Sequence, residues 1–322
     1  MHKIIIDTDP GIDDSMAIQF AFASGAFEIL GLTTVFGNVS IDITTTNALR
    51  LLDLLDRSEV PVSKGAANPL EGVFGGGVPF IHGDDGQGNT NKPPSKNKAI
   101  SLPAHEFIIE QVMKFPNELV LVALGPLTNL ALALRQKPEI QHKVKEVVLM
   151  GGNPFCPGNA TPAAEANILS DPLAADEVLG AEWPVTMIGL DVTHRTLLRR
   201  SDFDEITQNP SPINKHVTSA YLFYLDFFKR ANKIEGTYLH DASVFAYLMR
   251  PDYYTTENYP VRVATHEGVG RGKTWPSVGD TDQEEREALK PWKGRPKINI
   301  CVDVEGEKVI ELLKSVLLSG SV

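Results

Sequence analysis

The sequence predicts an α/β fold of the doubly wound kind, with helices on both faces of a mostly parallel β-sheet. Short β-branched runs alternate with amphipathic or buried helical stretches through most of the 322 residues, which is the pattern of such a sheet. No change of composition and no Ser/Pro-rich linker cuts this alternation into halves. Residues 1–322 are therefore interpreted as a single domain.

Strands are predicted where β-branched and other apolar residues form short runs between turn signals. In chain order they lie at residues 3–6, 29–35, 59–62, 118–123, 146–150, 185–190 and 297–302. Helices are predicted where apolar residues recur at helical spacing, for example between the candidate N-cap Ser40 and residue 56, or before the helix-ending Gly25. In chain order they lie at residues 14–24, 41–56, 103–115, 127–135, 171–180, 212–231, 241–249 and 305–318.

Two long polar segments interrupt the alternation, at about 66–99 and about 266–296. Long loops in compact domains tend to be functional lids or mobile segments. Both are therefore expected at the rim of a binding site.

Composition and charge narrow the possible partners. The formal net charge is −11 and the isoelectric point is near 5.2, which argues against nucleic acid or an anionic membrane surface as a partner. No segment is long and apolar enough for a membrane span or a signal peptide. The two cysteines, Cys156 and Cys301, provide no disulfide framework. A cytoplasmic protein with a small neutral or cationic ligand, or a metal ion, is expected.

Polar segments follow several of the predicted strands. In doubly wound sheets the ligand site lies beyond the carboxyl ends of the strands. The segments that reach this edge are residues 7–14, 36–38, 124–129 and 151–167, together with Asp191. Their convergence predicts a binding site at this edge.

Four aspartates stand within eight positions directly after the first strand: Asp7, Asp9, Asp13 and Asp14. Helix capping explains one or two of them. Crowded carboxylates are stable when a hard cation neutralises them, and oxygen ligands suit Ca²⁺ or Mg²⁺. The pair His240-Asp241 supplies a further candidate carboxylate, and no Cys/His cluster has zinc spacing.

Seven sequence motifs resemble those of the inosine-uridine-preferring nucleoside hydrolases, which are Ca²⁺-dependent N-ribosidases with a Rossmann-like fold. They occur in family order and cover nearly the whole chain. The motifs are DTDPGIDD at 7–14, TVFGN at 34–38, LGPLTNLA at 124–131, VVLMGG at 147–152, GNATPAAEAN at 158–167, GLDVTH at 189–194 and LHD at 239–241.

The resemblance implies a role for each matching residue. Ca²⁺ would be bound by Asp9, Asp14, Asp241 and the backbone carbonyl of Leu124, and would hold the ribose 2′- and 3′-hydroxyls and one water. Asp9 would be the general base that takes a proton from this water as it attacks C1′. The residues expected to contact the ribose are Asp13, Asn38, Asn159, Glu165, Asn167 and Asp241.

Two histidines are expected on the side of the departing base. His240 has an ordinary pKa suited to proton donation near neutrality, and His82 resembles a second base-pocket histidine on a mobile loop. Carboxylates around the ribose suit the positive charge that develops as an N-glycosidic bond breaks. The expected activity is Ca²⁺-dependent hydrolysis of ribonucleosides to free base and ribose, by a homodimer or homotetramer, with the purine or pyrimidine preference left open.

Two other interpretations are compatible with part of this pattern. A Mg²⁺-dependent phosphohydrolase of the haloacid-dehalogenase type also has two aspartates at the end of its first strand, and would use Asp7 as the nucleophile. The motif-bearing segments, however, offer Asn and carboxylates rather than the cationic groups that a phosphate needs. A ribose or nucleoside sensor without turnover is the second alternative, but no expected metal ligand or general base is missing.

Overall fold

A nine-stranded sheet forms the centre of the computed structural model, which describes residues 1–279 and 287–319. Two further strands form a separate small sheet. In chain order the strands are β1 (His2–Thr8), β2 (Phe27–Thr34), β3 (Val62–Lys64), β4 (Leu119–Ala123), β5 (Glu146–Met150), β6 (Val185–Ile188), β7 (Leu197–Arg199), β8 (Gly236–Tyr238), β9 (Tyr254–Val263), β10 (Thr274–Pro276) and β11 (Lys297–Val304).

Helices connect most of the parallel strands. They are α1 (Ile12–Ser24), α2 (Ile41–Leu54), α3 (Pro79–His82), α4 (Ala104–Lys114), α5 (Thr128–Gln136), α6 (Ala166–Ser170), α7 (Pro172–Gly180), α8 (Leu190–Thr193), α9 (Arg200–Ile206), α10 (Pro212–Asn232), α11 (Ala242–Met249) and α12 (Gly306–Ser319). No helix in the described ranges is long and apolar enough to cross a membrane.

The order of the strands creates a crevice beside β1. Strand β1 lies between β2 and β4 and is parallel to both. The chain first builds β2 and β3 on one side of β1, then returns to place β4, β5, β6 and β11 on the other. Strands β9 and β10 complete that side with antiparallel pairing. Open α/β sheets bind ligands where the winding direction reverses in this way, here at the carboxyl ends of β1 and β4.

Two hydrophobic cores cover the two faces of the sheet. In β1 the side chains of Ile4 and Ile6 belong to one core and that of Ile5 to the other, because successive strand residues point to opposite faces. All three are fully buried. Helices α1, α2, α10, α11 and α12 pack on the first face and α4, α5 and α7 on the second. The predicted doubly wound fold class is confirmed.

Two differences between the predicted and the observed strand bounds have a clear physical reason. The strand predicted at 59–62 lies at Val62–Lys64, because Pro61 has no N–H for sheet pairing and its carbonyl instead accepts the Leu32 N–H. The strand predicted at 185–190 ends at Ile188. Gly189 is the N-cap of the short helix α8, so Asp191 lies in the first turn of a helix and not at a strand end.

The two predicted long loops contain regular structure. Segment 66–99 includes the helix α3, and segment 266–296 includes β10 and a 3₁₀ helix at Glu287–Trp292. Residues 280–286 of the second prediction lie outside the described residues.

Candidate active site

The acidic cluster lies where β1 leads into α1. Asp9 follows the strand, and Asp13 and Asp14 stand in the first turn of the helix. Free N–H groups and the positive end of the helix dipole stabilise carboxylates at this position. Asp14 shows the effect, since its Oδ2 accepts the Gly11 N–H at 2.9 Å and its Oδ1 accepts the Thr8 hydroxyl at 2.5 Å.

A distant segment adds a carboxylate at the same place. Asp241 stands directly before α11 and is buried. Asp13, Asp14 and Asp241 each offer a carboxylate oxygen, and these oxygens lie within 4.8 Å of one another. Oxygen ligands in this number and charge fit a hard divalent cation.

Asp9 lies beside this group of three. Its Oδ2 accepts the backbone N–H of Asn38 at 2.7 Å. Its Oδ1 is buried and has no hydrogen-bond partner among the described residues. A buried carboxylate oxygen without a donor is unfavourable, so this atom is available to a cation, a water or a substrate.

Burial raises the pKa of each carboxyl in the cluster above that of an ordinary aspartate. For Asp9 the main cause is desolvation, followed by repulsion from Asp14. For Asp241 desolvation is again the main cause, followed by repulsion from Asp13 and Asp14. Desolvation also raises the pKa of Asp13 and Asp14 themselves. A bound divalent cation would favour the ionised form of all four groups, so the electrostatics of the cluster also fit a metal centre.

Two glycines leave the space that the Asp9 carboxylate occupies. A Cβ atom on Gly125 would lie 2.4 Å from Oδ1, and one on Gly37 would lie 2.0 Å from Oδ2. Both distances are far below van der Waals contact, so a larger residue at either position would displace the carboxylate. Neither glycine is among the residues predicted from the sequence. Their positions after β4 and β2, within the motifs LGPLTNLA and TVFGN, are the signal that identifies them.

Asn38 and Glu165 brace the site by hydrogen bonds. The Asn38 side-chain amide donates to the Asp9 carbonyl at 3.2 Å and to Asp14 Oδ2 at 3.1 Å. The Glu165 carboxylate is buried, and three backbone N–H groups donate to it. These donors are Gly152 at 3.0 Å, Asn167 at 2.8 Å and Ile168 at 3.1 Å.

The carbonyl of Leu124 and the side chain of Asn167 contact each other. The Asn167 amide donates to the Leu124 carbonyl at 2.6 Å and to the Met150 carbonyl at 3.2 Å. A carbonyl has two lone pairs, so the bond to Asn167 leaves one acceptor position at Leu124. Asn159 is exposed, and its side-chain oxygen accepts the Ala166 N–H at 3.1 Å. The described contacts therefore do not bring Asn159 to the carboxylates.

His82 and Tyr224 flank the cluster on one side. The Tyr224 hydroxyl donates to Asp13 Oδ2 at 3.4 Å, and its ring centroid lies 5.4 Å from that of His82. His82 Nδ1 accepts the Ile12 N–H at 3.1 Å. His82 is the last residue of the short helix α3, where the sequence predicts a loop, and it is only 4% exposed. Burial lowers the pKa of His82 to about 4.

His240 lies next to the metal-centre candidate Asp241 and among further rings. Its ring centroid lies 5.8 Å from that of His194 and 6.1 Å from that of Tyr238. Its Nδ1 lies 2.9 Å from the hydroxyl of Thr193. Burial lowers the pKa of His240 to about 3, so the ring is neutral near pH 7. This value differs from the ordinary histidine pKa on which the expectation of proton donation depends.

A buried glutamine holds the aspartate-bearing loop in place. The Gln87 side-chain amide donates to the carbonyls of Gly11 at 2.8 Å and Gly86 at 3.0 Å, and its oxygen accepts the Ser15 hydroxyl at 3.0 Å. The same oxygen lies 3.0 Å from His216 Nε2, which must carry the hydrogen because an amide oxygen only accepts. Sequence reasoning misses this network, because a single glutamine in a polar loop carries no pattern.

Asp7 contacts a different set of residues. Its Oδ1 accepts the Thr33 hydroxyl at 2.5 Å and the Asn129 amide at 2.8 Å. Burial raises the pKa of Asp7 to about 7. These two bonds brace the ends of β1, β2 and α5 against one another. The other oxygen of Asp7, Oδ2, is buried and has no hydrogen-bond partner among the described residues.

Comparison with known proteins shows the family to which the chain belongs. The family model of the inosine-uridine-preferring nucleoside hydrolases matches residues 4–311. Uridine nucleosidase 1 of Arabidopsis thaliana is 40% identical over 317 residues, which are 98% of this chain and 93% of that protein.

Two solved structures are also similar over nearly their whole length. The plant nucleoside hydrolase PpNRh1 superposes with a TM-score of 0.94 at 36% identity, covering 99% of both chains. The purine-preferring ribonucleoside hydrolase of Gardnerella vaginalis superposes with a TM-score of 0.89 at 34% identity, covering 98% of both chains. The chain thus belongs to the inosine-uridine-preferring nucleoside hydrolase family, whose members are enzymes that hydrolyse ribonucleosides.

Proposed function

We propose that this nucleoside hydrolase uses Ca²⁺, bound by Asp9, Asp14, Asp241 and the carbonyl of Leu124, to hydrolyse the N-glycosidic bond of ribonucleosides. The observation that carries the proposal is the convergence of three buried or nearly buried carboxylates within 4.8 Å. No lysine or arginine lies in contact with Asp13, Asp14 or Asp241 in the described ranges, and the buried His82, whose Nδ1 lies 3.9 Å from Asp13 Oδ1, has a lowered pKa. The ionised carboxylates repel one another, and a bound cation would relieve this repulsion.

Asp13 extends the set of ligands that the resemblance implies. It belongs to the converging group together with Asp14 and Asp241, and its Oδ1 is buried without a hydrogen-bond partner among the described residues. Asp13 is thus placed to contact the cation or a ribose hydroxyl. When bound, the cation supplies a charge that orients ribose hydroxyls and lowers the pKa of water.

Asp9 is proposed as the general base. Its Oδ2 is held by the Asn38 N–H, which leaves Oδ1 to accept a proton from water. The water oxygen then bonds to C1′, the bond from C1′ to the base nitrogen breaks, and the base leaves with the electron pair of that bond. The surrounding carboxylates stabilise the positive charge that develops on the ribosyl ring. His240 assists the leaving base by hydrogen bonding.

Uridine is proposed as a substrate. The support is the name of the relative from Arabidopsis thaliana, which covers nearly the whole chain at 40% identity. The purine-preferring structure from Gardnerella vaginalis, at 34% identity, supports a test of purine nucleosides in the same assay.

Release of free base, measured by chromatography, tests the reaction. Purified protein with Ca²⁺ would be incubated with uridine, cytidine, inosine, guanosine and adenosine, with Asp9→Asn as the control variant. Release by the wild-type protein and at least about a hundredfold less by Asp9→Asn is expected, because a general base contributes at least that factor. Equal rates for both proteins would contradict the role of Asp9.

Calcium binding is measured separately, by titration calorimetry of chelator-treated protein. Binding by the wild-type protein, and none by Asp241→Asn, is expected. Tighter binding of Mg²⁺ than of Ca²⁺ would contradict the proposed ion.

We also propose a cytoplasmic homo-oligomer, either a dimer or a tetramer. The family resemblance supports the assembly, and two free cysteines without a disulfide support a reducing compartment. Light scattering during size-exclusion chromatography measures the assembly, and a monomer at micromolar concentration would contradict it.

A further inference from the structure

The hydroxyl of Thr193 is the hydrogen-bond partner of the His240 ring. Thr193 is the last residue of α8, after β6, and His240 follows β8. The two residues come from separate segments, yet Thr193 Oγ1 lies 2.9 Å from His240 Nδ1. Thr193 is fully buried and His240 is 7% exposed. The contact is therefore shielded from water that would compete for it.

The number of hydrogens and lone pairs fixes the direction of this bond. A neutral imidazole has one donor nitrogen and one acceptor nitrogen, and a threonine hydroxyl has one hydrogen. In the described part of the chain, His240 Nδ1 is the one recorded partner of the Thr193 hydroxyl. If Nδ1 carried the ring hydrogen, the buried hydroxyl hydrogen would have no acceptor, which is unfavourable. Nδ1 is therefore the acceptor, and Nε2 carries the hydrogen.

The other ring nitrogen is available to a ligand. Nε2 makes no hydrogen bond with the described residues, and it is not fully enclosed. His240 directly precedes Asp241, one of the converging carboxylates. The ring consequently offers a ligand one donor nitrogen and no free acceptor nitrogen.

We propose that Thr193 is a positioning residue that fixes His240 as the Nε2–H tautomer, so that His240 donates a hydrogen bond to the leaving base. This inference rests on the proposed function. A base that departs from C1′ takes the bonding electron pair and becomes a better acceptor at its ring nitrogen or carbonyl oxygen. An Nε2–H donor strengthens its bond as this charge develops, whereas an Nε2 lone pair would repel it.

Leaving-group dependence distinguishes this role from a structural one. The base of uridine is a poor leaving group, so a hydrogen bond to it should accelerate the reaction. The leaving group of 4-nitrophenyl β-D-riboside is a phenolate that is stable without a hydrogen bond. For Thr193→Val, kcat on uridine is expected to fall about tenfold or more, with KM changed less than about twofold. On the nitrophenyl riboside, kcat is expected to stay within about twofold of the wild-type value. Thr193→Ser keeps the hydroxyl and is expected to restore activity on uridine.

Thr196→Val is the matched control. It also removes a buried threonine hydroxyl from the same segment, but that hydroxyl donates to the Val192 carbonyl at 3.2 Å and not to His240. Thr196→Val is expected to leave the ratio of the two substrate rates unchanged. Equal losses on both substrates in Thr193→Val, or no loss on uridine, would overturn the proposal.

Nitrogen-15 NMR of the histidine rings provides a readout that needs no turnover. In the wild-type protein, His240 is expected to show an unprotonated Nδ1 and a protonated Nε2. A protonated Nδ1 would overturn the proposal, even if Thr193→Val did not fold. Wild-type protein that hydrolyses neither riboside would contradict the proposed function, and the NMR result would then decide the tautomer independently.

Discussion

Replacement of Gln87 by leucine is predicted to destabilise the protein by about 2–6 kcal/mol, as the sum of two orphaned polar groups. Gln87 is fully buried and its side chain has the size of leucine, so little volume changes. What changes is the hydrogen bonding of the loop that carries the aspartates. The substitution therefore tests whether this network, rather than packing, holds the loop.

The size of the effect follows from which partners lose their last hydrogen bond. The single hydrogen of the Ser15 hydroxyl can reach either the Gln87 oxygen or the Gly11 carbonyl at 2.6 Å, so after the substitution it donates to Gly11 and neither of these groups is orphaned. The Nε2–H of His216 and the carbonyl of Gly86 have no second partner recorded among the described residues. A buried polar group left without a partner costs about 1–3 kcal/mol, and two such groups give the stated range.

Urea unfolding in the presence of a chelator measures the loss. Four proteins form a double-mutant cycle: wild type, Gln87→Leu, His216→Phe and the double variant. Because His216→Phe removes the donor that Gln87→Leu orphans, the two losses should overlap by at least about 1 kcal/mol. Gln111→Leu is the control, since no side-chain hydrogen bond is recorded for Gln111 in the described ranges. Losses that add within about 0.5 kcal/mol would refute the reasoning.

Three further predictions concern pH, metal and a buried carboxylate. Burial, followed by repulsion from Arg50, lowers the pKa of His216 from 6.5 to about 4. Between these pH values His216 is protonated in the unfolded chain but neutral in the folded protein. As the pH falls from 6.5 to 4, the free energy of unfolding of the wild-type protein should fall by about 3 kcal/mol more than that of His216→Phe, measured by urea unfolding at each pH. Parallel plots of this free energy against pH would contradict the prediction. Ca²⁺ should raise the midpoint of thermal unfolding of the wild-type protein but not that of Asp14→Asn. Without metal, Asp14→Asn should be more stable than the wild-type protein, because repulsion among the carboxylates is relieved. An equal increase of the midpoint in both proteins, measured by calorimetry, would exclude Asp14 as a ligand. Glu165→Gln should lower the free energy of unfolding in urea by about 2–4 kcal/mol, because the new NH₂ group faces a backbone N–H group that donates to the carboxylate in the wild-type protein. A loss below about 0.5 kcal/mol would contradict that arrangement.

The parallel part of the fold could be predicted because its strands carry a strong signal. The runs in β4 and β5 are apolar at nearly every position, and β1 contains the apolar run Ile4-Ile5-Ile6, as burial on both faces requires. Strand β9 has no such signal, because its sequence YTTENYPVRV is largely exposed along its first half and contains Pro260. The short strands β7 and β8 pair only with each other and have three residues each, which is too few for a periodic pattern.

The candidate site could be predicted where carboxylates follow strands, but not where its geometry depends on close approach. Asp13 and Asp14 follow β1 at the expected edge of the central sheet, whereas Asp241 follows β8 of the separate small sheet and is indicated by the motif LHD. The space for Asp9 depends on Gly37 and Gly125, and the sequence motifs that contain these glycines do not give their distances to the carboxylate. The pKa values of His82 and His240 depend on burial, which a loop sequence does not indicate.

The wide separation of Asp14 and Asp241 in the chain has a consequence for synthesis. During translation Asp9, Asp13 and Asp14 emerge early, whereas Asp241 emerges only after most of the sheet has been made. Domains complete their long-range contacts late when partners are distant in sequence. A nascent chain that ends before Asp241 therefore lacks one ligand of the proposed cation site, and tight binding of the cation is expected only after this residue has emerged.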